Sequence, residues 1–149
     1  MADQLAARRQ VAQVRLLQKL AAEGAVQRAA ADHVRYGAIA DARRGELEAH
    51  EVEWARQQAA PRLDPDLSRL AAGAIWRAQT SVDLAEGDRA WAARRETEAR
   101  EAWRGASLRS ETADELVSAA ARVVRRRREE ALLAEVADRR AKPRGGHED

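Results

Sequence analysis

The stretch that decides the fold is residues 71–120, AAGAIWRAQTSVDLAEGDRAWAARRETEAREAWRGASLRSETADELVSAA. Alanine recurs in it at every seventh position, and after Arg127 the series resumes with Ala134 and Ala141. A strict seven-residue repeat is typical of helices that supercoil left-handedly around a partner, so we expect this line to face another helix. The alanines predicted to form the seam are Ala71, Ala78, Ala85, Ala92, Ala99, Ala106, Ala113 and Ala120.

Larger apolar side chains flank the alanine line on both sides. One flank comprises Ile75, Val82, Trp103, Val117 and Val124. The other comprises Leu67, Leu116 and Val123. An apolar stripe of this width is what a helix buries against a neighbour, so the alanine line with its borders is the predicted seam.

The first part of the chain carries two candidate lines of its own, both spaced in sevens. One consists of small residues and one larger member: Gly24, Ala31, Ala38, Gly45, Val52 and Ala59. The other consists of Leu5, Ala12, Val26, His33, Ala40, Leu47 and Trp54. On a helix the two lines lie on nearly opposite faces. The sequence leaves open which of them faces the second helix.

Helix-breaking residues cluster in two places, the segment PRLDPD at 61–66 and the tail after residue 141. Asp64 followed by Pro65 predicts the N-cap and first residue of a helix. We therefore predict helices over about 3–58 and 65–140, a turn over 59–65 and a disordered tail over 142–149. Because a short linker favours folding back, the predicted fold is all-α, a long antiparallel two-helix coiled-coil hairpin that forms a single domain over residues 1–141.

The second predicted helix is about 20 residues longer than the first, so its last turns should project alone. If the turn centres near Leu63, the start of the first helix pairs near Val123. The projecting C-terminal overhang then begins at Arg125. Its apolar residues, which would have no partner within the hairpin, are Leu132, Leu133 and Val136.

Composition narrows the classes of function. The chain of 149 residues has no Phe and one Tyr, and 35% of its residues are charged, which is typical of long helices rather than of a domain with a deep core. It has no cysteine, which excludes disulfides and thiol catalysis. His33, His50 and His147 lack the spacing of a helical metal site. Because a two-helix hairpin has no pocket in which groups converge, we expect no enzymatic activity, no cofactor and no small-molecule substrate.

The N-terminal sequence, MADQLAARRQVAQVRLLQKL, is charged throughout and contains no apolar run of the kind found in signal peptides. No stretch of the sequence is apolar enough over a sufficient length to span a bilayer. We therefore expect a cytoplasmic protein that does not insert into the membrane.

The arginine run Arg125, Arg126, Arg127 and Arg128 has three readings: a solvated helix surface, a protein-docking patch or a phosphate-binding site. Two acidic residues follow the run directly. The run also lacks the interleaved aromatic residues of single-strand binders. Nucleic acid is therefore the least favoured partner.

Three tryptophans are assigned by their angular distance from the alanine line. Trp76 and Trp91 lie more than about 100° from it, which predicts exposed side chains. Trp103 lies near the line and is predicted to be part of the core. Exposed aromatic residues are enriched among the anchors of protein interfaces.

The sequence resembles the FliJ family, the small coiled-coil component of the bacterial flagellar type III export apparatus. The resemblance extends over essentially the whole chain and begins with an N-terminal helix rich in Arg and Leu. It also includes a Trp-Arg pair at Trp103 and Arg104 and an acidic and apolar ending over residues 128–140, in which Ala134 stands where an Asp is common. The N-terminal residues that carry the resemblance are Arg8, Arg9, Val14, Leu16 and Leu17.

The resemblance implies a hairpin like the central stalk of a rotary ATPase, located in the cytoplasm at the periphery of the inner-membrane export apparatus. Its implied partners are a hexameric export ATPase, a membrane export gate protein and export chaperones. The ATPase ring would hold the overhang through the arginine run together with Leu132, Leu133 and Val136. By position, the gate contact would include Ile75, Trp76 and Val82. Competing interpretations are a virulence secretion stalk, another coiled-coil scaffold and an Arg-rich nucleic-acid binder.

Overall fold

The chain consists of two long α-helices packed against each other, and the structure, a computed structural model, describes residues 2–62 and 64–141. Helix α1 spans Ala2–Gln58 and helix α2 spans Pro65–Ala141. Within the described residues there is no β-strand, so the predicted all-α two-helix hairpin is confirmed. The predicted disordered tail, residues 142–149, lies outside the described residues. Neither helix contains, within the described ranges, a segment long and apolar enough to cross a membrane.

The start of α2 is fixed by the residue that precedes it. The Asp64 carboxylate accepts hydrogen bonds from the backbone N–H groups of Asp66, at 2.9 Å, and Leu67, at 3.4 Å. Pro65 occupies the first helical position, where its missing N–H costs nothing. Asp64 is therefore the N-cap, as the sequence predicted, and it satisfies two donors that the helix leaves free.

On α2 the buried surface consists of two lines of residues. All eight alanines of the predicted seam are buried or half-buried, and Ala92 is only 1% exposed. The second line lies four residues after each alanine: Ile75, Val82, Arg89, Glu96, Trp103, Ser110, Val117 and Val124, all of them buried or half-buried. The other predicted flank, Leu67, Leu116 and Val123, is about half exposed. The seam of α2 therefore includes only one of the two flanks.

On α1 the structure decides between the two candidate lines. Leu5, Ala12, Val26, His33, Leu47 and Trp54 are half-buried, and Ala40 is 0% exposed. In the line of small residues, Gly24 is half-buried, whereas Ala31, Ala38, Gly45, Val52 and Ala59 are exposed. The line that contains Ala40 therefore faces α2, and the line of small residues faces outward.

The helices run antiparallel, because contacts pair rising residue numbers on α1 with falling numbers on α2. His33 contacts Glu96, Asp41 contacts Arg89, and Arg44 contacts Glu86. Each residue of α1 thus contacts only the part of α2 that lies next to it in the hairpin.

By its contacts the chain divides into two compact units. The first unit comprises Met1–Leu20 and Gly105–Asp149, and the second unit comprises Ala21–Arg104. The first unit therefore contains the start of α1 and the C-terminal part of α2. The second unit contains the turn and the helix segments that flank it.

Candidate protein-binding surfaces

The residues predicted to meet an ATPase ring all belong to the first unit and are all exposed. Residues 125–140 are exposed without interruption. Leu132, Leu133 and Val136 have 61%, 70% and 50% of their surface exposed, respectively. Exposed apolar side chains this close together are typical of contact sites rather than of an ordinary helix surface.

The arginine run begins beside α1 rather than beyond it. Arg125 and Arg128 line a groove together with Leu5 and Arg9 of α1. The groove between the helices therefore reaches Arg128, further along α2 than Val123, near which the start of α1 was predicted to pair. As a result, the start of α1 contributes to the same basic surface as the arginine run.

On the other side of Leu5, Arg8 lines a second groove with Gln4, Ala120 and Val123. Its guanidinium group donates a hydrogen bond of 3.4 Å to the backbone carbonyl oxygen of Leu116. This contact holds one basic side chain of α1 against α2. Both sides of Leu5 are thus bordered by arginine.

Within the described residues, the arginines at this end of the first unit lack acidic partners. Among residues 2–62 and 64–141, no carboxylate oxygen lies within 4.0 Å of their guanidinium groups, whereas arginines of the second unit form several such pairs. The unpaired residues, called the arginine cluster below, are Arg8, Arg9, Arg122, Arg125, Arg126, Arg127 and Arg128. Like charges at such density repel one another, so an acidic partner would relieve the repulsion.

The residues predicted to contact an export gate do not form one surface. Trp76 is 71% exposed, as its angular position predicted, but Val82 is 8% exposed and belongs to the buried line of α2. Ile75 is half-buried in the same line. Val82 was therefore assigned wrongly, because it faces α1 and is covered within the hairpin. Only Trp76 of the three presents most of its side chain to a partner.

A second aromatic site, which the sequence did not reveal, joins the two helices in the second unit. The rings of Tyr36 on α1 and Trp91 on α2 meet edge to face, with centroids 6.3 Å apart and an interplanar angle of 89°. The guanidinium carbon of Arg95 lies 5.8 Å from the Trp91 ring centroid. Trp91 remains 48% exposed. The seven-residue interval from Ala22 and Ala29 to Tyr36 was the available signal that Tyr36 faces α2.

The seam of the second unit also contains a buried carboxylate, that of Glu96. Glu96 is 8% exposed, and its Oε2 atom lies 2.6 Å from Nδ1 of His33. Its Oε1 atom lies 2.5 Å from a guanidinium nitrogen of Arg100, one turn along α2. One carboxylate oxygen thus has a hydrogen-bond partner and the other a guanidinium group within ion-pair distance, which offsets the cost of burying the charge. Among the described residues, no group of three or more His, Cys, Asp or Glu side chains could hold a metal ion.

Trp103 and Trp76 should differ sharply when each is replaced by alanine. Trp103 is half-buried, lines a groove with Val26 and Gln27, and has a buried Nε1 atom without a hydrogen-bond partner among the described residues. We expect Trp103→Ala to lower the free energy of unfolding by about 1–3 kcal/mol, because it removes apolar contacts between the helices. Trp76→Ala should change it by less than about 0.5 kcal/mol. Urea unfolding followed by circular dichroism measures both, and equal losses would contradict the burial pattern.

Comparisons of the chain with protein-family models, with curated proteins and with solved structures found no match.

Proposed function

We propose that this chain is a non-enzymatic component of the bacterial flagellar type III protein export apparatus. In this role it is a stalk-like coiled coil that binds the hexameric export ATPase, promotes its activity, and connects it to the membrane export gate and to export chaperones. It acts in the cytoplasm, at the periphery of the inner-membrane export apparatus. The ATPase hydrolyses the nucleotide, and the hairpin supplies binding surface only.

The observation that carries the proposal is the combination of charge and exposure in the first unit. The arginine cluster has no acidic partners among the described residues, and Leu132, Leu133 and Val136 are at least half exposed. A ring-shaped partner with an acidic rim and an apolar inner surface would satisfy both groups at once. The resemblance of the N-terminal helix and of the ending over residues 128–140 to the FliJ family supports the identity of that partner.

The gate contact is proposed for Trp76 alone. Trp76 is 71% exposed, so its side chain contributes little to the hairpin. An exposed tryptophan offers a large apolar area to a partner at a low entropic cost. Trp76→Ala should therefore weaken binding to the export gate and leave the helical content unchanged.

The proposal is tested by capturing the full chain on the immobilised export ATPase. Reversing two charges of the arginine cluster, with Arg125→Glu and Arg128→Glu, should weaken capture by roughly tenfold or more, because acidic partner groups would then face like charge. The matched control is Arg62→Glu with Arg94→Glu, which changes the net charge equally at two exposed positions of the second unit. We expect the control to bind like the unchanged chain.

Mixed-sequence DNA at physiological salt is the competing ligand in the same assay. If the chain binds DNA more tightly than it binds the ATPase, the arginine cluster is a phosphate-binding surface and the proposed function is wrong. Equal capture of the cluster variant and its control would also contradict the proposal.

A further inference from the structure

Beyond the arginine run, α2 carries its apolar residues on a different side of the helix. At about 100° per residue, the two buried lines of α2 continue through Arg127, Ala131, Ala134 and Asp138, which offer little apolar area. Leu132, Leu133 and Val136 lie instead on the side away from those lines. They are exposed to 61%, 70% and 50%. A partner of this segment must therefore approach from the side opposite the seam.

The same side carries arginines at both ends of the apolar patch. Arg125 and Arg126 precede Leu132 and Leu133 by seven residues, and a second arginine pair follows them by seven. Two helical turns separate each pair from the patch, so all lie on one side. We call this side the outer face, and its residues are Arg125, Arg126, Glu129, Leu132, Leu133, Val136, Arg139 and Arg140.

The outer face is basic at its ends and apolar in its centre. All of its residues are exposed, and Glu129 is its one acid. Arg139 is paired with Glu135 one turn earlier on α2. Arg125, Arg126 and Arg140 have no carboxylate within 4.0 Å in residues 2–62 and 64–141. Within those ranges, three of the four basic groups therefore have no acidic partner.

This order of charges argues against a second copy of the chain as the occupant. If two copies paired antiparallel about the apolar patch, Arg125 would face Arg140 and Arg126 would face Arg139. If they paired parallel, each arginine would face its own counterpart. Both arrangements place like charges opposite each other, which disfavours self-association.

We propose that the outer face binds an amphipathic helix of a different protein, one with an apolar centre flanked at both ends by acidic residues. Leu132 and Leu133 lie four and three residues before Val136, the spacing by which one helix packs against another. Acidic groups of the partner meet the arginine pairs on either side of this contact. The assignment of that helix to the export ATPase rests on the proposed function, whereas its chemistry rests on the outer face alone.

The test uses a charge-reversed variant of the chain as the binding partner. Replacing all four arginines of the outer face with glutamate converts it to an acidic, apolar, acidic face. When mixed, the unchanged chain and this variant should form a one-to-one complex, measured by sedimentation velocity. We expect the mixed complex to be at least about tenfold tighter than self-association of either chain, and to weaken as salt is added.

Two further variants make the result decisive. Adding Leu132→Ser, Leu133→Ser and Val136→Ser to the acidic variant should abolish the mixed complex. Arg125→Glu with Arg126→Glu alone should make the chain pair with itself antiparallel, because each glutamate then faces an arginine of the other copy. This variant leaves Arg139 and Arg140 in the last turn, where the helix dipole favours basic residues, so helical content is preserved.

The inference is overturned if the mixture sediments as the separate chains and the double variant does not self-associate. It is overturned as well if the serine substitutions leave the mixed complex intact. Because no ATPase is present, these results are independent of the proposed function. A mixed complex with no effect of the chain on the ATPase would support the outer face and contradict only the assigned partner.

Discussion

Replacing Ala92 with leucine should lower the free energy of unfolding by about 1–3 kcal/mol. Ala92 is 1% exposed and lies on the line of α2 that faces α1. Three additional carbon atoms cannot fit there unless the helices move apart or side chains leave their preferred rotamers. Urea unfolding followed by circular dichroism gives the loss directly.

The control is Ala90→Leu, two residues earlier on the same helix. Ala90 is exposed, so leucine adds no overlap there, and the change should stay within about 0.5 kcal/mol. Both substitutions exchange good helix formers, so helix propensity contributes little to either result. If the two variants unfolded at the same urea concentration, the alanine line would not be the seam.

Removing the carboxylate of Glu96 should have an effect of similar size. Glu96→Ala deprives His33 of the oxygen that lies 2.6 Å from its Nδ1 atom and leaves Arg100 without its partner one turn away. Loss of one partner leaves the other without its contact, which we expect to lower the free energy of unfolding by about 1–3 kcal/mol. The loss is not larger because the His33 side chain keeps 36% of its surface exposed to water. Glu98→Ala, at an exposed position on the same helix, is the control and should be nearly neutral.

A double-mutant cycle separates the pair from its surroundings. His33→Ala, Glu96→Ala and the double variant should show a coupling free energy of about 0.5–3 kcal/mol, because the two side chains contact each other directly across the helices. Additive losses would mean that the pair contributes no interaction of its own. The contact would then reflect the alignment of the two helices without stabilising it.

The alanine line was predictable from the sequence because one residue type recurs at one interval, and an interval of seven has a single structural meaning on paired helices. The choice of line on α1 was not predictable. Both candidate lines have the same interval, and only packing against α2 distinguishes Ala40 from Ala38. The helix start at Asp64 was predictable, since a cap depends on neighbours in sequence alone.

The second buried line of α2 was found only in part. Its apolar members were recognised as a flank of the seam, but Arg89, Glu96 and Ser110 were missed, because charged and polar residues read as surface. Their seven-residue spacing from Val82 and Trp103 was the available signal. Burial of Glu96 is offset by His33 on the other helix as well as by Arg100, and pairing between the helices depends on their register.

For the candidate binding surfaces, too, the sequence predicted what depends on one helix alone and missed what depends on packing between the helices. The exposure of Trp76 followed from its angle to the alanine line, which is a property of α2 alone. Val82 was assigned to the same contact from its place in the chain, and its burial shows that proximity in sequence does not decide which side of a helix a residue occupies. Arg8 and Arg9 belong to the arginine cluster because the start of α1 lies beside the region around Val124. This pairing depends on the packing of the two helices and not on either helix alone.

The proposed binding of the ATPase requires the C-terminal part of α2, and deletion of residues 129–149 tests this requirement. The deletion keeps Arg125 and Arg128 beside Leu5 and removes the exposed apolar patch, so the hairpin should stay folded and lose only the helical signal of its last turns. The measurement is stimulation of ATP hydrolysis by the hexameric export ATPase. We predict that the shortened chain no longer stimulates the ATPase; stimulation equal to that of the full chain would contradict binding through this end and point instead to the turn around Pro61 and Pro65.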